Sequence, residues 1–352
     1  MTGRERVRKA VKHEVTDRIP VDYCVRDDVS EALQKYLGLP DLESVYKKLG
    51  IDVRKFFIQV NVPSFLARSG GKKIIRYPDG RIENAWGVVQ RPSNDGRYFE
   101  MVTGPFYENE NIDSFDWPGL ECIESEESIR KKIDSFGGEY STFGWVDNPF
   151  KLCWFMRGFE NYLCDTVANE DFAITLWEKL AEYELEKGIR FIRAGIDTLM
   201  VVGDIAMQDR MIVSPATWRK IDKPRLAEML KTWKGLNPEI MFYFHSDGNM
   251  EEVLPDLIEI GFDMVNPIQP ECMDVVYIKK KYGRDFTLHG TISIQKTLPF
   301  GTIDDVHNET LSRIGLGKDD GGIIIVPSNY VQSDTPLENL IEIYRTVGSY
   351  QE

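Results

Sequence analysis

A histidine and an aspartate two residues apart, His245 and Asp247, follow an apolar run at positions 240–244. Side chains with this spacing at a strand end can point to the same side, so the imidazole and the carboxylate can act together. Such a pair suits acid–base catalysis or the binding of a metal ion. The alternative is a capping turn, in which Gly248 permits the bend and Asn249 caps the next helix. The chain has 4 histidines, and one that ends a buried strand favours the functional interpretation.

A glutamate and a cysteine, Glu271 and Cys272, follow the next apolar run. Zinc accepts thiolate, imidazole and carboxylate ligands and keeps one position open in catalytic sites. The sequence therefore indicates a candidate zinc site with His245, Asp247, Glu271 and Cys272 as candidate ligands, and a site without a metal is the alternative. A lone cysteine is more often a small buried apolar side chain, and that alternative stays open for Cys272.

An aspartate, Asp204, ends the apolar run 199–203. Partial burial raises the pKa of a carboxyl unless a cation or a donor stabilises its charge. Asp204 is therefore predicted to be a general base or a substrate anchor, with a helix cap as the alternative. Gln208 is expected to be its polar companion.

Further polar residues lie at or near the ends of other predicted strands. Asp22 lies in the first one and points either into the fold or to its rim, and Asn329 follows the last one. His289 either lines the site or is a hydrogen-bonded core histidine. With Gln208, these residues are the candidate substrate-binding set, whereas Asp204, His245 and Asp247 are the candidate catalytic set.

The elements that would position these residues alternate regularly after residue 141. Amphipathic helical patterns at 174–194, 216–233, 250–260 and 303–314 lie between apolar strand-like runs, which occupy residues 142–146, 198–202, 240–244, 264–268, 286–288 and 323–326. This order predicts a parallel sheet with helical crossovers and both faces buried. From 198 on, polar residues follow each strand, and in a barrel those ends converge on one mouth. No GxGxxG or GxxxxGK[ST] follows any strand, so a (β/α)8 TIM-type barrel is preferred to an open doubly wound sheet.

The first part of the chain is organised differently. Residues 1–14 predict a helix that leads into a short strand-like segment at 19–25, and two helical patterns follow. Residues 73–106 are rich in strand-forming patterns, and Pro78-Asp79-Gly80 between two of them indicates a hairpin. We expect one domain over 1–352, with an N-terminal helical segment and a β-ribbon inserted at about 70–106.

Composition excludes several classes of protein. The formal net charge is −14 and the basic residues are scattered, which disfavours nucleic acid and anionic membranes as partners. No apolar stretch has the length of a signal peptide core or a membrane span. The 5 cysteines contain no CxxC pair, which favours reduced thiols in a cytoplasm. The oligomeric state stays open, with a homodimer as one candidate.

Several stretches together resemble the uroporphyrinogen decarboxylase superfamily. They are RERVRKAV at 4–11, DRIPVD at 17–22, VVGD at 201–204, IVSPATWR at 212–219, FHSDGN at 244–249, PDLIEIG at 255–261, NPIQPECMD at 266–274, GTIS at 290–293, PSN at 327–329 and DTP at 334–336. The likeness runs nearly end to end and is most specific after about residue 195.

The resemblance implies a single (β/α)8 barrel and one of two activities. One is decarboxylation of the acetate arms of uroporphyrinogen without a cofactor. The other is methyl transfer between a corrinoid protein that carries cobalamin and a small thiol, amine, alcohol or methoxylated aromatic, assisted by zinc. The decarboxylases have an arginine-rich motif after the first strand, whereas this chain has YCVRDDV at 23–29, with one arginine and two acids. We therefore set decarboxylation aside and keep it as an alternative.

The branch that uses coenzyme M carries a His-x-Cys motif and a later cysteine as zinc ligands. This chain has Asp247 at the first cysteine position, and Ser328 and Asn329 where the later one is expected. Loss of soft ligands disfavours a thiol acceptor. The resemblance thus implies a methyltransferase that acts on a small methylated or methoxylated donor together with a corrinoid protein. A barrel that binds a small molecule without catalysis remains an alternative from another class.

Overall fold

The computed structural model of the chain describes residues 1–94, 96 and 99–350. The strands are β1 Val53–Phe57, β2 Ile75–Arg76, β3 Ile82–Glu83, β4 Val89–Pro92, β5 Phe99–Thr103, β6 Ser141–Asp147, β7 Thr198–Val202, β8 Met241–His245, β9 Met264–Asn266, β10 Thr287–His289 and β11 Ile323–Ile324. A parallel sheet of 7 strands runs in the order β1-β6-β7-β8-β9-β10-β11. The alternation predicted after residue 141 is confirmed.

The segment at 19–25 closes this sheet into a barrel. Val21 pairs in parallel with Ile325, next to β11, and Val25 pairs with Val331. On the other side, the amide of Asp52, just before β1, donates to the carbonyl of Val21 at 3.0 Å. The segment therefore lies between the first and last strands of the sheet and completes the α/β barrel that the sequence predicted.

Helices surround the barrel and begin at recognisable caps. Thr2 and Thr302 each form a capping box with the acid three residues on, and Ser214 caps the helix that starts at Pro215. The helices are α1 Gly3–Val11, α2 Asp27–Leu37, α3 Leu42–Leu49, α4 Pro63–Ser69, α5 Glu126–Asp134, α6 Pro149–Arg157, α7 Phe159–Ala168, α8 Glu170–Ala194, α9 Pro215–Leu236, α10 Leu254–Ile260, α11 Val275–Tyr282, α12 Thr297–Phe300, α13 Ile303–Gly317 and α14 Leu337–Ser349. Short 3-10 turns lie at Ile112–Ser114, Leu120–Cys122 and Glu251–Val253.

A second, antiparallel sheet is formed by β2, β3, β4 and β5 in that order. Its first turn contains Pro78-Asp79-Gly80 between β2 and β3, where the amide of Gly80 donates to the carbonyl of Tyr77. The inserted β-ribbon expected near 70–106 is confirmed for the residues that the structure describes there.

Two apolar cores hold the barrel, one inside it and one between it and the helices. The inner core contains Phe143, Met200, Tyr243 and Met264 from the strands, with Val7 of α1 packed against them. Since α1 covers the end at which the strands begin, the open end of the barrel is the one at which they finish. That end carries the polar residues considered below.

Among the described residues, none of the helices combines the length and the apolar character required to cross a lipid bilayer.

One buried carboxyl in the outer core should make stability depend on pH. Asp222 is fully buried and accepts a hydrogen bond from Nε1 of Trp177 at 2.8 Å. Burial raises the pKa of Asp222 from its ordinary 3.8 to about 7. Between these values the unfolded chain releases a proton that the folded chain retains, so stability falls as pH rises through this range.

We predict that Asp222→Asn, which is neutral at every pH, is more stable than the native protein at pH 8 by roughly 2–4 kcal/mol and has no such advantage at pH 4. Urea unfolding at the two pH values measures the difference, with the exposed Asp209→Asn as control. An equal effect of Asp222→Asn at both pH values would contradict the raised pKa.

Candidate active site at the barrel mouth

Three residues predicted to be catalytic meet at the open end of the barrel. His245 is the last residue of β8, and Asp204 lies two residues beyond the neighbouring β7. Val202 pairs with His245 in the parallel register, which places the end of β7 beside the start of the loop with Asp247. Adjacent parallel strands thus bring together residues that are 41 and 43 positions apart in the chain.

The three side chains form a compact group. Nε2 of His245 lies 3.9 Å from Oδ1 of Asp204 and 4.0 Å from Oδ1 of Asp247. One ligand atom from each residue lies within 4.8 Å of the other two. The imidazole nitrogen and the two carboxylate oxygens therefore face a common point.

Two neighbours hold the carboxylates in place. Lys151, in the first turn of α6, contacts Oδ2 of Asp204 with its Nζ at 3.0 Å. The side-chain amide of Asn329, beyond β11, donates to Oδ2 of Asp247. The backbone amide of Asp247 donates to Oδ1 of Asp204 at 3.1 Å. Both carboxylates are thus fixed on the side away from His245.

Burial and charge act differently on the two carboxyls. Burial raises the pKa of Asp247; His245 offsets part of that rise, and the charge of Asp204 adds to it. Burial also opposes ionisation of Asp204, but the positive charge of Lys151, the interaction with His245 and the backbone amide of Asp247 outweigh it and lower the pKa of Asp204. Asp204 is therefore ionised at neutral pH, and a further positive charge would stabilise Asp247 most.

This group fits a divalent cation. Oδ1 of Asp247 is buried and has no hydrogen-bond partner among the described residues. A buried oxygen without a partner costs free energy that a cation at the common point would recover. One imidazole and two carboxylates are ligands of the kind and number that catalytic zinc and harder divalent ions take from proteins.

A chain of buried polar contacts continues from His245 across the barrel. Oδ1 of Asn266 lies 2.5 Å from Nδ1 of His245, and Nδ2 of Asn266 lies 2.8 Å from Nδ1 of His289. Nε2 of His289 lies 3.2 Å from Oδ2 of Asp22, which pairs with Nζ of Lys55 at 2.6 Å. We call these four residues, Asn266, His289, Asp22 and Lys55, the buried relay.

Burial and ion pairing determine which residues of the relay are charged. Burial opposes ionisation of Asp22, but Lys55 and His289 outweigh it and lower the pKa of Asp22 to about 2. Burial lowers the pKa of His289, which keeps the ring neutral at neutral pH. Asp22 and Lys55 thus form a buried ion pair, with the neutral ring of His289 beside it.

The zinc ligands expected from the sequence are brought together only in part. His245 and Asp247 meet, but the third member of the group is Asp204, and Glu271 and Cys272 do not belong to it. Glu271 instead accepts a hydrogen bond from the hydroxyl of Ser293. Burial, with the charges of Glu271 and Asp247, raises the pKa of Cys272 to about 11, so its thiol stays protonated.

The predicted substrate-binding residues lie in three different places. Asn329 contacts Asp247, and Asp22 and His289 lie together below the mouth in the buried relay. Gln208 is exposed and donates to Oε1 of Gln295 at 3.1 Å, so it is not the companion of Asp204. The polar companion of Asp204 is instead Lys151.

Lys151 and Lys55 were not among the sequence candidates. Lys151 lies four residues beyond β6, at another strand end, which is the signal that could have identified it. Lys55 is a charged residue in an otherwise apolar alternation with Val53 and Phe57, and this periodicity would have placed it on the inner face. Asn266 ends a strand, but its sequence neighbours do not show that it joins two histidines.

Aromatic residues and a cavity adjoin this site. The rings of Phe57, at the end of β1, and Trp145, in β6, lie with centroids 5.1 Å apart. A cavity of about 880 Å³ reaches Asp22, Lys55, Phe57 and Tyr330 from the side of α2 and α3. Asp204, His245 and Asp247 do not line this cavity, so it provides room for a small molecule beside Asp22 and Lys55 of the relay.

Comparisons with known proteins agree with the barrel fold. The family model for Uroporphyrinogen decarboxylase (URO-D) matches residues 105–350. The methylated-thiol–coenzyme M methyltransferase of Methanosarcina mazei is 25% identical over 250 residues, which are 68% of this chain and 62% of that protein. The chain thus matches less than two thirds of that relative's length. A solved methyltransferase from Methanosarcina mazei has the same fold, with a TM-score of 0.71 over 100% of both chains at 17% identity.

The buried ion pair of the relay gives a stability prediction. Lys55→Met leaves the charge of Asp22 buried without its cation, which should lower the free energy of unfolding by about 3–5 kcal/mol. Urea unfolding at pH 7 measures the loss, with the exposed Lys73→Met as control. The double variant with Asp22→Asn should recover much of it. If Lys55→Met and Lys73→Met have equal effects, the pairing is unimportant for stability.

Proposed function

The chain belongs to the uroporphyrinogen decarboxylase family, and from that premise we propose that it transfers a methyl group between a small methylated or methoxylated molecule and a corrinoid protein. The observation that carries the proposal is the convergence of Asp204, His245 and Asp247 at the barrel mouth within 4.8 Å. The methyltransferase relatives support the reaction class.

The role of each residue follows from its contacts. His245 offers Nε2, and Asp204 and Asp247 each offer Oδ1, to a divalent cation, for which zinc is our expectation. When bound, such a cation polarises the heteroatom that the methyl group leaves. Lys151 and Asn329 hold the two carboxylates so that their Oδ1 atoms face His245.

The bonds broken and formed in the methyl transfer determine which groups the barrel mouth must provide. The bond between the methyl carbon and the heteroatom breaks, its electron pair stays on the heteroatom, and that atom takes up a proton. The cobalt of cobalamin, carried by the partner protein, supplies the nucleophile that receives the methyl group. The adjoining rings of Phe57 and Trp145 offer an apolar surface for a methyl group on this side of the barrel.

Two features favour this activity over the others in the family. Arg26, the arginine that follows the first strand segment, contacts Asp28 at 3.1 Å, so it is a poor anchor for a substrate with many carboxylates. Asp247 and Asn329, which stand where the coenzyme M branch has cysteines, contact each other. A carboxylate thus stands at the first thiolate position and an amide that supports it at the second, which favours an oxygen or nitrogen leaving group over a thiol.

The metal content tests the ligand set. We predict that the purified protein, loaded with zinc sulfate and desalted, retains about one equivalent of zinc, because three ligand residues and a free position suit a catalytic zinc site. His245→Ala and Asp247→Asn should lose it, whereas Glu271→Gln and Cys272→Ser should keep it. Elemental analysis gives the content. Loss in the last two variants would restore the set expected from the sequence, and absence from the native protein would refute the site.

Methyl transfer itself can be followed with free cobalamin in place of the partner. We predict that cob(I)alamin gives the methylcobalamin spectrum when the protein is supplied with a methoxybenzoate, methanol or a methylamine. Asp204→Asn should reduce the rate at least 100-fold, since one donor of the group is lost, while circular dichroism stays native. No transfer from any of these donors, or release of CO2 from uroporphyrinogen instead, would overturn the proposal.

A further inference from the structure

The buried relay determines where the hydrogens of His245 lie. Asp22 is ionised, so its Oδ2 can only accept, and Nζ of Lys55 holds it at 2.6 Å. Nε2 of His289 lies 3.2 Å from the same oxygen; the contact does not have the direction of a hydrogen bond, but the negative charge favours the ring hydrogen on this nitrogen over Nδ1. Because the ring of His289 is neutral, its Nδ1 is then an acceptor.

The side-chain amide of Asn266 links the hydrogen position on His289 to the hydrogen position on His245. Its Nδ2 donates to Nδ1 of His289 at 2.8 Å, so its Oδ1 faces Nδ1 of His245 at 2.5 Å. An amide oxygen only accepts, which requires the hydrogen of His245 to be on Nδ1. In the neutral ring of His245 the bare nitrogen is then Nε2, and this is the atom that faces Asp204 and Asp247.

The opposite orientation of the amide is unfavourable. With Oδ1 of Asn266 turned towards His289, Nδ1 of that ring would need a hydrogen. The ring would then either present a bare Nε2 to the carboxylate of Asp22 or carry a positive charge where it is only 1% exposed. The first arrangement sets two acceptors against each other, and the second adds a charge next to the buried Lys55.

The surrounding packing leaves little freedom for the relay. The ring of Tyr243 stands edge-on to His289, with centroids 5.0 Å apart. Gly290 has φ +73°, and a Cβ there would lie 2.2 Å from Nδ2 of Asn266. A side chain at position 290 would therefore displace the amide that joins the two histidines.

We propose that Asn266, oriented by His289, Asp22 and Lys55, is a positioning residue that fixes the neutral ring of His245 as the Nδ1–H tautomer, so that Nε2 is the nitrogen with the free lone pair at the barrel mouth. The use of Nε2 as a metal ligand rests on the proposed function. The tautomer does not, because it follows from contacts inside the protein alone. Residues that orient a metal-binding histidine in this way typically change metal affinity when they are replaced.

Long-range 1H–15N NMR of protein labelled with 15N-histidine tests the tautomer without a metal. The chain has 4 histidines, and His245→Gln and His289→Gln assign the two signals of interest. We expect His245 to carry its hydrogen on Nδ1 and His289 to carry its hydrogen on Nε2 in the native protein. A hydrogen on Nε2 of His245 would overturn the inference with no variant needed.

Two substitutions of Asn266 separate positioning from packing. In Asn266→Ala, His245 loses its acceptor and should shift towards the Nε2–H form. In Asn266→Asp, the carboxylate still accepts from His245 but now faces His289 as an acceptor, so a hydrogen should appear on Nδ1 of His289. Asn109→Ala, which removes an exposed amide outside the site, should leave both rings unchanged. An unaltered His245 in Asn266→Ala would contradict the proposal.

Zinc affinity links the tautomer to the metal site. In competition with a chromophoric chelator, Asn266→Ala should bind zinc roughly 10- to 100-fold more weakly than the native protein. Equal zinc affinity alongside a changed tautomer would contradict the positioning role. If the native protein binds no zinc, the proposed function fails, whereas the NMR result still decides the tautomer.

Discussion

Two carboxylates, those of Asp204 and Asp247, face the same imidazole inside the mouth of the barrel. Like charges this close raise the free energy of the folded state unless positive charge or hydrogen-bond donors compensate them. Lys151 and Asn329 compensate the outer oxygens, while Oδ1 of Asp247 keeps no partner among the described residues. The remaining need for positive charge is the reason why we propose that this end of the barrel binds a cation.

The barrel imposes this arrangement through its backbone. Parallel pairing sets the last residues of β7, β8, β9 and β10 at nearly one level, so that His245 pairs with Asn266 and the neighbouring strand presents His289. Helix α1 packs against the other end of the inner core. Buried polar groups at the mouth are then satisfied mainly by one another, and each hydrogen in the relay follows from the charge of Asp22.

Much of this could be predicted from the sequence, because it depends on local patterns. Alternating apolar runs and amphipathic helices predicted the barrel, and polar residues after successive strands predicted that Asp204, His245 and Asp247 would meet. The direction of a loop side chain is not a local pattern, so Glu271 and Cys272 could not be separated from the true neighbours of His245. Lys151 and Lys55 pair with acids 53 and 33 positions away, and no spacing rule connects such partners.

The direct measurement of the central claim is the anomalous difference map of crystals soaked in zinc sulfate, recorded at the zinc absorption edge. The account predicts a peak bonded to Nε2 of His245 and to Oδ1 of Asp204 and of Asp247, with Nδ1 of His245 still directed at Asn266. A peak bonded to Glu271 or Cys272 would contradict it. So would the lack of any zinc peak at the barrel mouth of fully soaked crystals.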